Sequence, residues 1–524
     1  MNIYKGIKIL SLICFLAIGI FAQTGATISG KITKDNKPLV ETLVLQQNNF
    51  EIKRTTSDEN GNFKFENLTD GKYRIVVFNT GTIHSGNEPR ELTITNSQSV
   101  TVDFVFSSPY SQATSSEIKE TVTISADSKQ TLEEVSKTVN IISGQEMRDR
   151  ADFALVESLR TIPGFRVQQL GGFGRTASIK TRGLRNQDTA ILIDGVRFRD
   201  ASSITGDASA FLSDFTLTSV SKVEVLRGSG SSLYGTNAIG GTIDFQTPKP
   251  ESGWHGQFGG AFGGLGLSRF RGNTSYGNSK FGFNVGASRT DYRKGIDGDD
   301  DAENTNFQSR IEYNPFENTN ISARFFVSDA SVNLNSSPDT FGASPTTNAQ
   351  IINAIPNVNF VADANDPDSV QDSNFFSGQI ALTQIINSKL VFRALYSGLR
   401  TERKNRNDVL GVGFQSPSSS LFDGTIHTAN ANFNFTPNRF NEITFGYEFE
   451  QENYGNEGFT PSGTQDFFTR VKQSSNTFYA QDLVSAFDGR LQLAGGFRAQ
   501  VFNLKTPNFS LNNAPYSNLT LENP

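Results

Sequence analysis

Apolar and polar residues alternate along the chain over 254–524. The clearest runs are Phe281, Phe283, Val285 and Ala287; Ile443, Phe445, Tyr447 and Phe449; and Leu491, Leu493, Phe497 and Val501. A period of two predicts β-strands with one apolar face and one polar face. Their length and order favour an antiparallel transmembrane β-barrel, with the apolar face toward lipid and the polar face toward the lumen, over a soluble sandwich with shorter strands.

The connections between these strands alternate between short and long. Short ones are predicted at 277–280, 315–318, 387–388, 437–440 and 488–489, and long ones at about 292–304, 332–372, 402–424 and 454–466. Outer-membrane barrels have short periplasmic turns and long extracellular loops. The long connections are therefore expected to face the outside of the cell.

The first 22 residues have the pattern of a signal peptide. Lys5 and Lys8 precede the apolar run 9–21, and Ala22 offers a small residue for cleavage. The single cysteine of the chain, Cys14, lies within this segment. We therefore expect an exported protein whose mature form has no disulfide.

Residues 25–107 form a second alternating region, with shorter runs separated by turn signals such as DENG at 58–61 and TDG at 69–71. Short strands at this spacing predict a small β-sandwich. The stretch TSDENGNFKFENLTDGKYRIVV resembles the carboxypeptidase regulatory-like domain, a transthyretin-like sandwich. The resemblance implies a docking or spacing module without a peptidase site. His84 has no paired ligand at metal-binding spacing, so a solvated loop histidine is favoured there.

Residues 131–248 mix helical and strand patterns. Ser143 and Glu146 predict a capped helix start, and Pro163 with Gly164 ends a second helix. Short strands are predicted at 138–142, 165–169, 177–181 and 191–193, and the glycine-rich stretch 225–247 predicts a strand, a loop and a strand. This region is therefore expected to be a small mixed α/β domain.

Three stretches of this domain resemble, in order, the plug domain of TonB-dependent outer-membrane receptors. They read LRTIPGFRVQQLGGFGRTASIKTRG, ILIDGVRF and VLRGSGSSLYGTNAIGGTIDFQT, where Ser229 replaces the usual proline. Within that family, these three sequence stretches are most similar to the cobalamin-receptor branch. The resemblance implies a plug held in the lumen of the barrel and a receptor for active uptake.

A linker rich in serine and threonine, 108–130, precedes the plug. Its segment 120–126 is similar to a TonB box and consists of Glu120, Thr121, Val122, Thr123, Ile124, Ser125 and Ala126. The strict alternation suits an extended segment that adds an edge strand to a partner's sheet. The resemblance implies TonB, with its inner-membrane energising complex, as that partner.

Two plug loops, 168–176 and 197–207, are expected to face the ligand, as equivalent loops do in the family. The candidate ligand-binding residues are Gln168, Leu170, Phe173, Arg175, Arg197, Phe198 and Arg199. They offer hydrogen bonds and aromatic or cationic surface. The alternative for Arg197 and Arg199 is ion pairing with Asp194, Asp200 or carboxylates of the barrel wall.

The loop GIDGDDDAEN concentrates acidic residues, and Asp297, Asp299 and Asp301 are the candidate metal ligands. Oxygen-rich clusters suit calcium, which the cobalamin branch uses in such a loop. The EF-hand spacing fails, because Ala302 stands where glycine is required and Gln308 where the bidentate glutamate would be. A solvated acidic loop is therefore favoured, and no other cofactor is expected.

The composition of the chain argues against several classes of protein. The chain has 524 residues, 47 Gly, 44 Phe and a net charge of −6. Past the signal peptide, no window approaches the apolar length of a spanning helix. The mild acidity and three scattered histidines give no argument for nucleic acid. His255 and His427 lack evident partners for hydrolysis, so no enzyme is expected.

The chain is therefore expected to be mainly β, with a transthyretin-like sandwich, an α/β plug and an antiparallel barrel. About eleven strands are predicted after the plug, whereas plugged transporters of this kind have about 22. We expect a fragment that lacks the C-terminal half of its barrel. Such a fragment should not transport by itself.

For the complete protein, the expected function is TonB-dependent uptake of a scarce organic or metal-chelate nutrient across the outer membrane, with cobalamin-like cargo favoured. A siderophore-iron receptor is the alternative, and a non-transporting adhesin is less favoured. Besides TonB, the expected partners are outer-membrane lipid and a small-molecule ligand. The expected location is the outer membrane, with the domain 25–107 in the periplasm.

Overall fold

A computed structural model describes residues 26–34, 37–47, 50–78, 90–95, 98–106, 121–125, 128–131, 138–203, 205–228, 238–293, 300–334, 339–340, 360–361, 366, 368–410, 417–438, 440–486, 491–511 and 514–515. The chain divides into two compact units, Met1–Ser116 and Glu117–Pro524. Several sequence predictions lie outside the described residues: the signal peptide, His84, Glu120, Ala126, Ser229, Asp297 and Asp299. Within the described ranges, no helix has the length and apolar character that a membrane span requires.

The first unit folds as a β-sandwich. Its strands are β1 (Ala26–Lys34), β2 (Lys37–Pro38), β3 (Thr42–Gln47), β4 (Phe50–Thr56), β5 (Asn62–Leu68), β6 (Gly71–Phe78), β7 (Arg90–Ile94), β8 (Val100–Thr101) and β9 (Phe104–Phe106). One sheet joins β1 with β2, β5, β8 and β9, and the other has the order β4-β3-β6-β7. Alternate residues of β5, Phe63 and Phe65, enter a core shared with Leu45 and Ile75. The identity of this sandwich as a carboxypeptidase regulatory-like module stays a prediction.

The second unit contains the plug. Its elements are β10 (Thr121–Ser125), β11 (Ser128–Thr131), β12 (Thr138–Ser143), α1 (Gly144–Asp149), α2 (Leu155–Leu159), β13 (Phe165–Gln169), β14 (Ala177–Thr181), β15 (Thr189–Ile193), β16 (Val196–Phe198), β17 (Lys222–Arg227) and β18 (Gly241–Gln246). Two 3-10 turns, Asn186–Asp188 and Leu212–Asp214, complete it. The main sheet has the order β12-β17-β18-β15-β16, while β10 with β11 and β13 with β14 form separate hairpins.

Local sequence features of the plug act as predicted. Ser143 Oγ accepts a hydrogen bond from the backbone N–H of Glu146 at 3.0 Å and caps α1. Gly241 has a φ of +149°, and a Cβ at this position would lie 2.2 Å from the carbonyl oxygen of Leu226. Glycine is therefore required where β17 and β18 approach each other.

The wall around the plug is one antiparallel sheet. Its strands are β19 (Gly253–Phe262), β20 (Leu267–Gly277), β21 (Phe281–Tyr292), β22 (Ala302–Phe316), β23 (Thr319–Asn333), β26 (Val370–Asn387), β27 (Leu390–Asn407), β28 (Ser418–Asn438), β29 (Asn441–Phe459), β30 (Gln465–Ala486) and β31 (Leu491–Leu504). Shorter strands are β24 (Asp339–Thr340), β25 (Phe360–Val361), β32 (Asn508–Leu511) and β33 (Ala514–Pro515). The prediction of about eleven long strands is confirmed for the described part of the chain.

The two faces of the wall differ as the alternation predicts. Large apolar side chains on the outer face are exposed, among them Ile380 by 53%, Tyr396 by 52% and Phe478 by 59%. Polar side chains on the inner face are covered by the plug, and Gln308, for example, is 1% exposed. The outer face is therefore suited to lipid, and the inner face is occupied by the plug.

The short connections lie where the sequence predicts them, but some of the long connections are shorter in the structure than predicted. Strand β22 begins at Ala302, β27 extends to Asn407 and β29 extends to Phe459. Only 460–464 separate β29 from β30, and Thr460 N donates to Thr464 O at 2.9 Å. The predicted long connection at 454–466 is therefore wrong. Backbone pairing continues beyond the apolar belt, where the side chains no longer show the alternation.

Candidate ligand-binding site between plug and wall

The tip of the β13–β14 hairpin brings one predicted loop to the end of the wall that carries the long connections. Leu170 N donates to Thr176 O at 3.0 Å, and Gly171 takes a φ of +117° in the turn. Gln168 is exposed, and Leu170 is 65% exposed. Both of these predicted ligand-binding residues are therefore accessible.

The same tip contacts the wall. The ring of Phe173 lies 6.3 Å, centroid to centroid, from the ring of Tyr292 at the end of β21. Arg175 forms an ion pair with Asp300 at 3.6 Å. Ser213 Oγ donates to Arg175 O at 2.5 Å and fixes the tip from inside the plug. Phe173 and Arg175 therefore lie where plug and wall meet. A ligand that binds Arg175 would do so beside its ion-pair partner Asp300.

A cavity of about 500 Å³ lies beside the tip. It is lined by Phe153, Ala154, Val156, Glu157, Arg160, Gln169, Gly171, Gly172, Phe173, Ser213, Gly264, Leu265, Leu267 and Tyr292. Arg160 Nη2 donates to Gln169 Oε1 at 3.0 Å. Aromatic and aliphatic walls with a few polar groups suit a small organic ligand. Residues of α2 and of the β19–β20 turn belong to this site, although the sequence did not point to them.

Phe198 does not face this cavity. It is 2% exposed, and its ring lies 4.8 Å from the ring of Phe215 and 5.0 Å from the ring of Phe375 in β26. The prediction that Phe198 contacts the ligand is therefore corrected. Its aromatic surface is used to dock β16 against the wall.

Arg199 also has a wall partner. Its guanidinium donates to Glu450 at 2.8 Å and to both carboxylate oxygens of Glu452, one of them at 2.9 Å. Burial alone would lower the pKa of Arg199, but the two carboxylates raise it above its ordinary value. The structure thus shows, for Arg199, the ion-pair alternative that the sequence left open.

Arg197 lies in the same charged layer. Burial lowers its pKa, while the charges of Glu450 and Glu448 act in the opposite direction. Glu448 also pairs with Arg498 of β31 at 3.0 Å. The loop that begins at Arg197 is therefore held by alternating charges of the wall, away from the cavity at the hairpin tip.

Several residues at the plug–wall contact were missed by sequence reasoning. Phe326 and Phe375 face the lumen and are 1% and 2% exposed. Each belongs to a Phe-Phe doublet, and in a strand such a doublet places one ring on each face. That local break in the alternation is the signal that identifies the apolar docking surface.

Asp214 is buried in the same contact. Its carboxylate accepts a hydrogen bond from Ser373 Oγ at 2.8 Å. Burial raises the pKa of Asp214 to about 7, and the hydrogen bond from Ser373 opposes the shift. Burial likewise raises the pKa of Asp244 to about 7, and the charge of Glu224 adds to the shift. Two plug carboxyl groups therefore titrate near neutral pH.

The calcium prediction concerns the loop beside the hairpin tip. Asp301 is exposed, while Asp300 takes part in the ion pair with Arg175. Among the described residues, no group of three His, Cys, Asp or Glu side chains is arranged to hold a metal ion. Asp297 and Asp299 lie outside the described residues, so calcium binding stays a prediction.

Known proteins resemble the chain in sequence over the plug. Residues 131–242 match the family model of the TonB-dependent Receptor Plug Domain. A vitamin B12 transporter, BtuB, of Vibrio vulnificus is 34% identical over 144 residues, which cover 27% of this chain and 23% of the relative. BtuB of Vibrio cholerae is 34% identical over 139 residues, which cover 22% of its length. The chain therefore matches less than a quarter of the length of these relatives.

Solved structures resemble the chain over plug and wall together. The pyoverdine outer membrane receptor FpvA of Pseudomonas aeruginosa has a TM-score of 0.62 and 14% identity, over 76% of this chain and 61% of the receptor. The unliganded ferric citrate transporter FecA has a TM-score of 0.58 and 15% identity, over 72% of this chain and 58% of the transporter. Together with the plug match, these likenesses confirm the predicted plug-and-barrel fold.

Proposed function

We propose that this chain, which has the plug and the barrel wall of a TonB-dependent receptor, belongs to a protein that takes up a small-molecule nutrient across the outer membrane. The observation that carries the proposal is the cavity of about 500 Å³ at the hairpin tip, lined by both plug and wall. A ligand in that cavity would contact both parts at once. Its binding would therefore favour one position of the plug over another.

Cobalamin-like cargo is the first candidate. The supporting observation is the sequence likeness of the plug to vitamin B12 transporters, at 34% identity over 144 residues. An iron chelate is the second candidate, supported by the fold shared with the pyoverdine receptor and the ferric citrate transporter. Neither candidate function includes an enzymatic activity of the chain.

TonB is the proposed energy-coupling partner. Thr121–Ser125 is extended and pairs with Ser128–Thr131, so this segment already has the strand conformation that edge pairing needs. TonB would take the place of β11 and pull on the plug from the periplasm. The N-terminal sandwich would act there as a docking or spacing module.

The test separates binding from uptake in cells that express the complete protein. Proline at 122 or 124 removes a backbone donor from the strand, so Val122→Pro or Ile124→Pro should abolish uptake of labelled cobalamin and of ferric siderophore. Binding of the same ligands at the cell surface should persist, because the cavity lies elsewhere. The control Val122→Thr keeps the backbone donor and should keep uptake. Normal uptake by both proline variants would overturn the proposal.

A further inference from the structure

One side of the cavity at the hairpin tip is aromatic and aliphatic. Phe173 of the plug and Tyr292 of the wall both line it, and their ring centroids lie 6.3 Å apart with the ring planes inclined by 38°. Val156 of α2 and the exposed Leu265 of the β19–β20 turn also line the cavity. Such side chains bind an aromatic ring through edge-to-face or offset contacts and by removing apolar surface from water. This side of the cavity therefore suits a flat apolar group.

Arg160, which directly follows α2, brings a positive charge to the lining of the same cavity. Its side chain is exposed, and its Nη2 donates to Gln169 Oε1 at 3.0 Å. Gln169 is itself fixed by the hairpin tip, because its Nε2 donates to Gly172 O at 2.7 Å. In the described part of the chain, the Arg160 side chain has no other hydrogen bond and no carboxylate at ion-pair distance. A guanidinium has several N–H donors, so Arg160 keeps donors for a ligand.

The carboxylate that lines the cavity, that of Glu157, has backbone partners. Its Oε2 accepts hydrogen bonds from Phe153 N at 2.5 Å and from Ala154 N at 3.4 Å, at the start of α2. Glu157 therefore stabilises the helix start. An anionic group that enters the cavity would find its hydrogen-bond donors at Arg160.

The cavity has room beside these groups. Gly172 lines it, and a Cβ added at Gly172 would meet no atom within 4 Å. The volume of about 500 Å³ lies in the range of cavities that enclose small organic ligands. A ring against Phe173 and an acidic group at Arg160 can therefore belong to one ligand in one cavity.

We propose that this cavity selects a cargo by a flat aromatic ring that carries one carboxylate. The ring packs against Phe173 and Tyr292, and the carboxylate accepts paired, charge-assisted hydrogen bonds from Arg160. Gln169 is a positioning residue, because it holds the guanidinium at the cavity. A cargo larger than the cavity would place such a group in it. The inference rests on the proposed uptake function and names the chemical class of its cargo.

The test measures dissociation constants by isothermal titration calorimetry, with the purified full-length chain in detergent. The probes are naphthoate, its neutral amide naphthamide, and acetate, which has the carboxylate without the ring. Naphthoate should bind about tenfold or more tightly than naphthamide, because a hydrogen bond to a charged group contributes more than a neutral one. Acetate should show no measurable binding.

Arg160→Gln should weaken naphthoate binding about tenfold or more and leave naphthamide binding unchanged. Arg160→Lys keeps the charge and should weaken naphthoate binding less. The matched control is Arg166→Gln, which removes an exposed positive charge of the plug outside the cavity lining and should change neither dissociation constant.

The aromatic side is tested separately. Phe173→Leu should weaken the binding of both naphthoate and naphthamide by about two- to tenfold, because an aromatic contact is lost. Phe270→Leu, which removes a ring from the outer face of β20, is the control and should leave both unchanged. Gly172→Leu fills the open space and should abolish the binding of both probes, while the outer face and its detergent remain the same.

Three results would overturn the inference: no measurable binding of naphthoate to the native chain, equal affinity for naphthoate and naphthamide, or unchanged naphthoate affinity in Arg160→Gln. Binding of acetate as tight as that of naphthoate would overturn the selection of an aromatic ring. Uptake that is lost in the proline variants, together with any of these results, would remove the cargo class and leave the uptake function. Naphthoate binding as expected, together with normal uptake in the proline variants, would do the reverse.

Discussion

Two of the regions through which the plug meets the wall differ in their chemistry. On β23 and β26 the contact is aromatic: the Phe215 ring lies 5.4 Å from Phe326 and 5.2 Å from Phe375. On β21 and β22 the contact includes a group of neutral hydrogen bonds around Ser219. Ser219 donates from its backbone N to Gln308 at 3.0 Å and from its Oγ to Asn284 at 2.9 Å.

The aromatic contact and the hydrogen-bonded contact differ in whether water can replace the plug–wall interaction when it is lost. A hydrogen bond between two polar side chains is exchanged for hydrogen bonds to water at a net cost of about 1 kcal/mol. A buried aromatic ring has no such substitute, and its loss leaves a cavity. We therefore expect the aromatic region to hold the plug in place and the hydrogen-bonded region to open more readily.

The largest effect is expected at the centre of the aromatic region. Phe375→Ala should lower the free energy of unfolding by about 3 to 5 kcal/mol, because a fully buried ring is removed. Chemical denaturation followed by circular dichroism measures the change. The matched control is Phe376→Ala, whose ring is 44% exposed on the outer face and should cost about 1 kcal/mol or less. Equal losses in the two variants would contradict the aromatic anchor.

A change of pH is expected to alter the free energy of unfolding by an intermediate amount. The pKa of Asp214 is raised by burial, so its contribution to stability is fully present below the pKa of the unfolded carboxyl and is lost as the pH rises through about 7. Between these values the slope should be of the order of 1 kcal/mol per pH unit. Asp214→Asn keeps the neutral form and should remove this share of the slope.

Unfolding curves recorded from about pH 5 to pH 8 measure that slope. Asp149→Asn, an exposed residue of α1, serves as the control and should keep the slope of the native chain. A slope that is unchanged by Asp214→Asn would mean that the Asp214 carboxyl does not titrate in this range. In that case the remaining pH dependence would be assigned to Asp244, whose pKa is also raised to about 7.

The smallest effect is expected in the hydrogen-bonded region. Ser219→Ala removes the hydrogen bond to Asn284 and should cost about 1 kcal/mol, which is the usual net contribution of one neutral hydrogen bond. Hydrogen exchange of the plug backbone near position 219 should become faster. Ser268→Ala in β20 is the control. A cost as large as that of Phe375→Ala would erase the distinction between the two regions.

Part of the candidate site followed from the sequence. The hairpin tip with Gln168, Leu170 and Phe173 was identified from an ordered set of plug motifs, and it lies beside the cavity. Phe198 was assigned to the ligand in error, because a short strand with alternating arginines does not reveal which face meets the wall. Its burial depends on Phe375, which is distant in sequence.

The strand period, the number of long strands and the short connections could be predicted from the sequence, because they depend on neighbouring residues and on local turn chemistry. The plug domain was predicted from the resemblance of its ordered motifs to a known family. Three features emerge only from the folded chain: Arg199 pairs with Glu452, 253 positions away, Phe198 is part of the core, and the strands continue past their apolar belt. Contacts of that kind depend on how the sheet curves around the plug, and sheet curvature is a property of all the paired strands together.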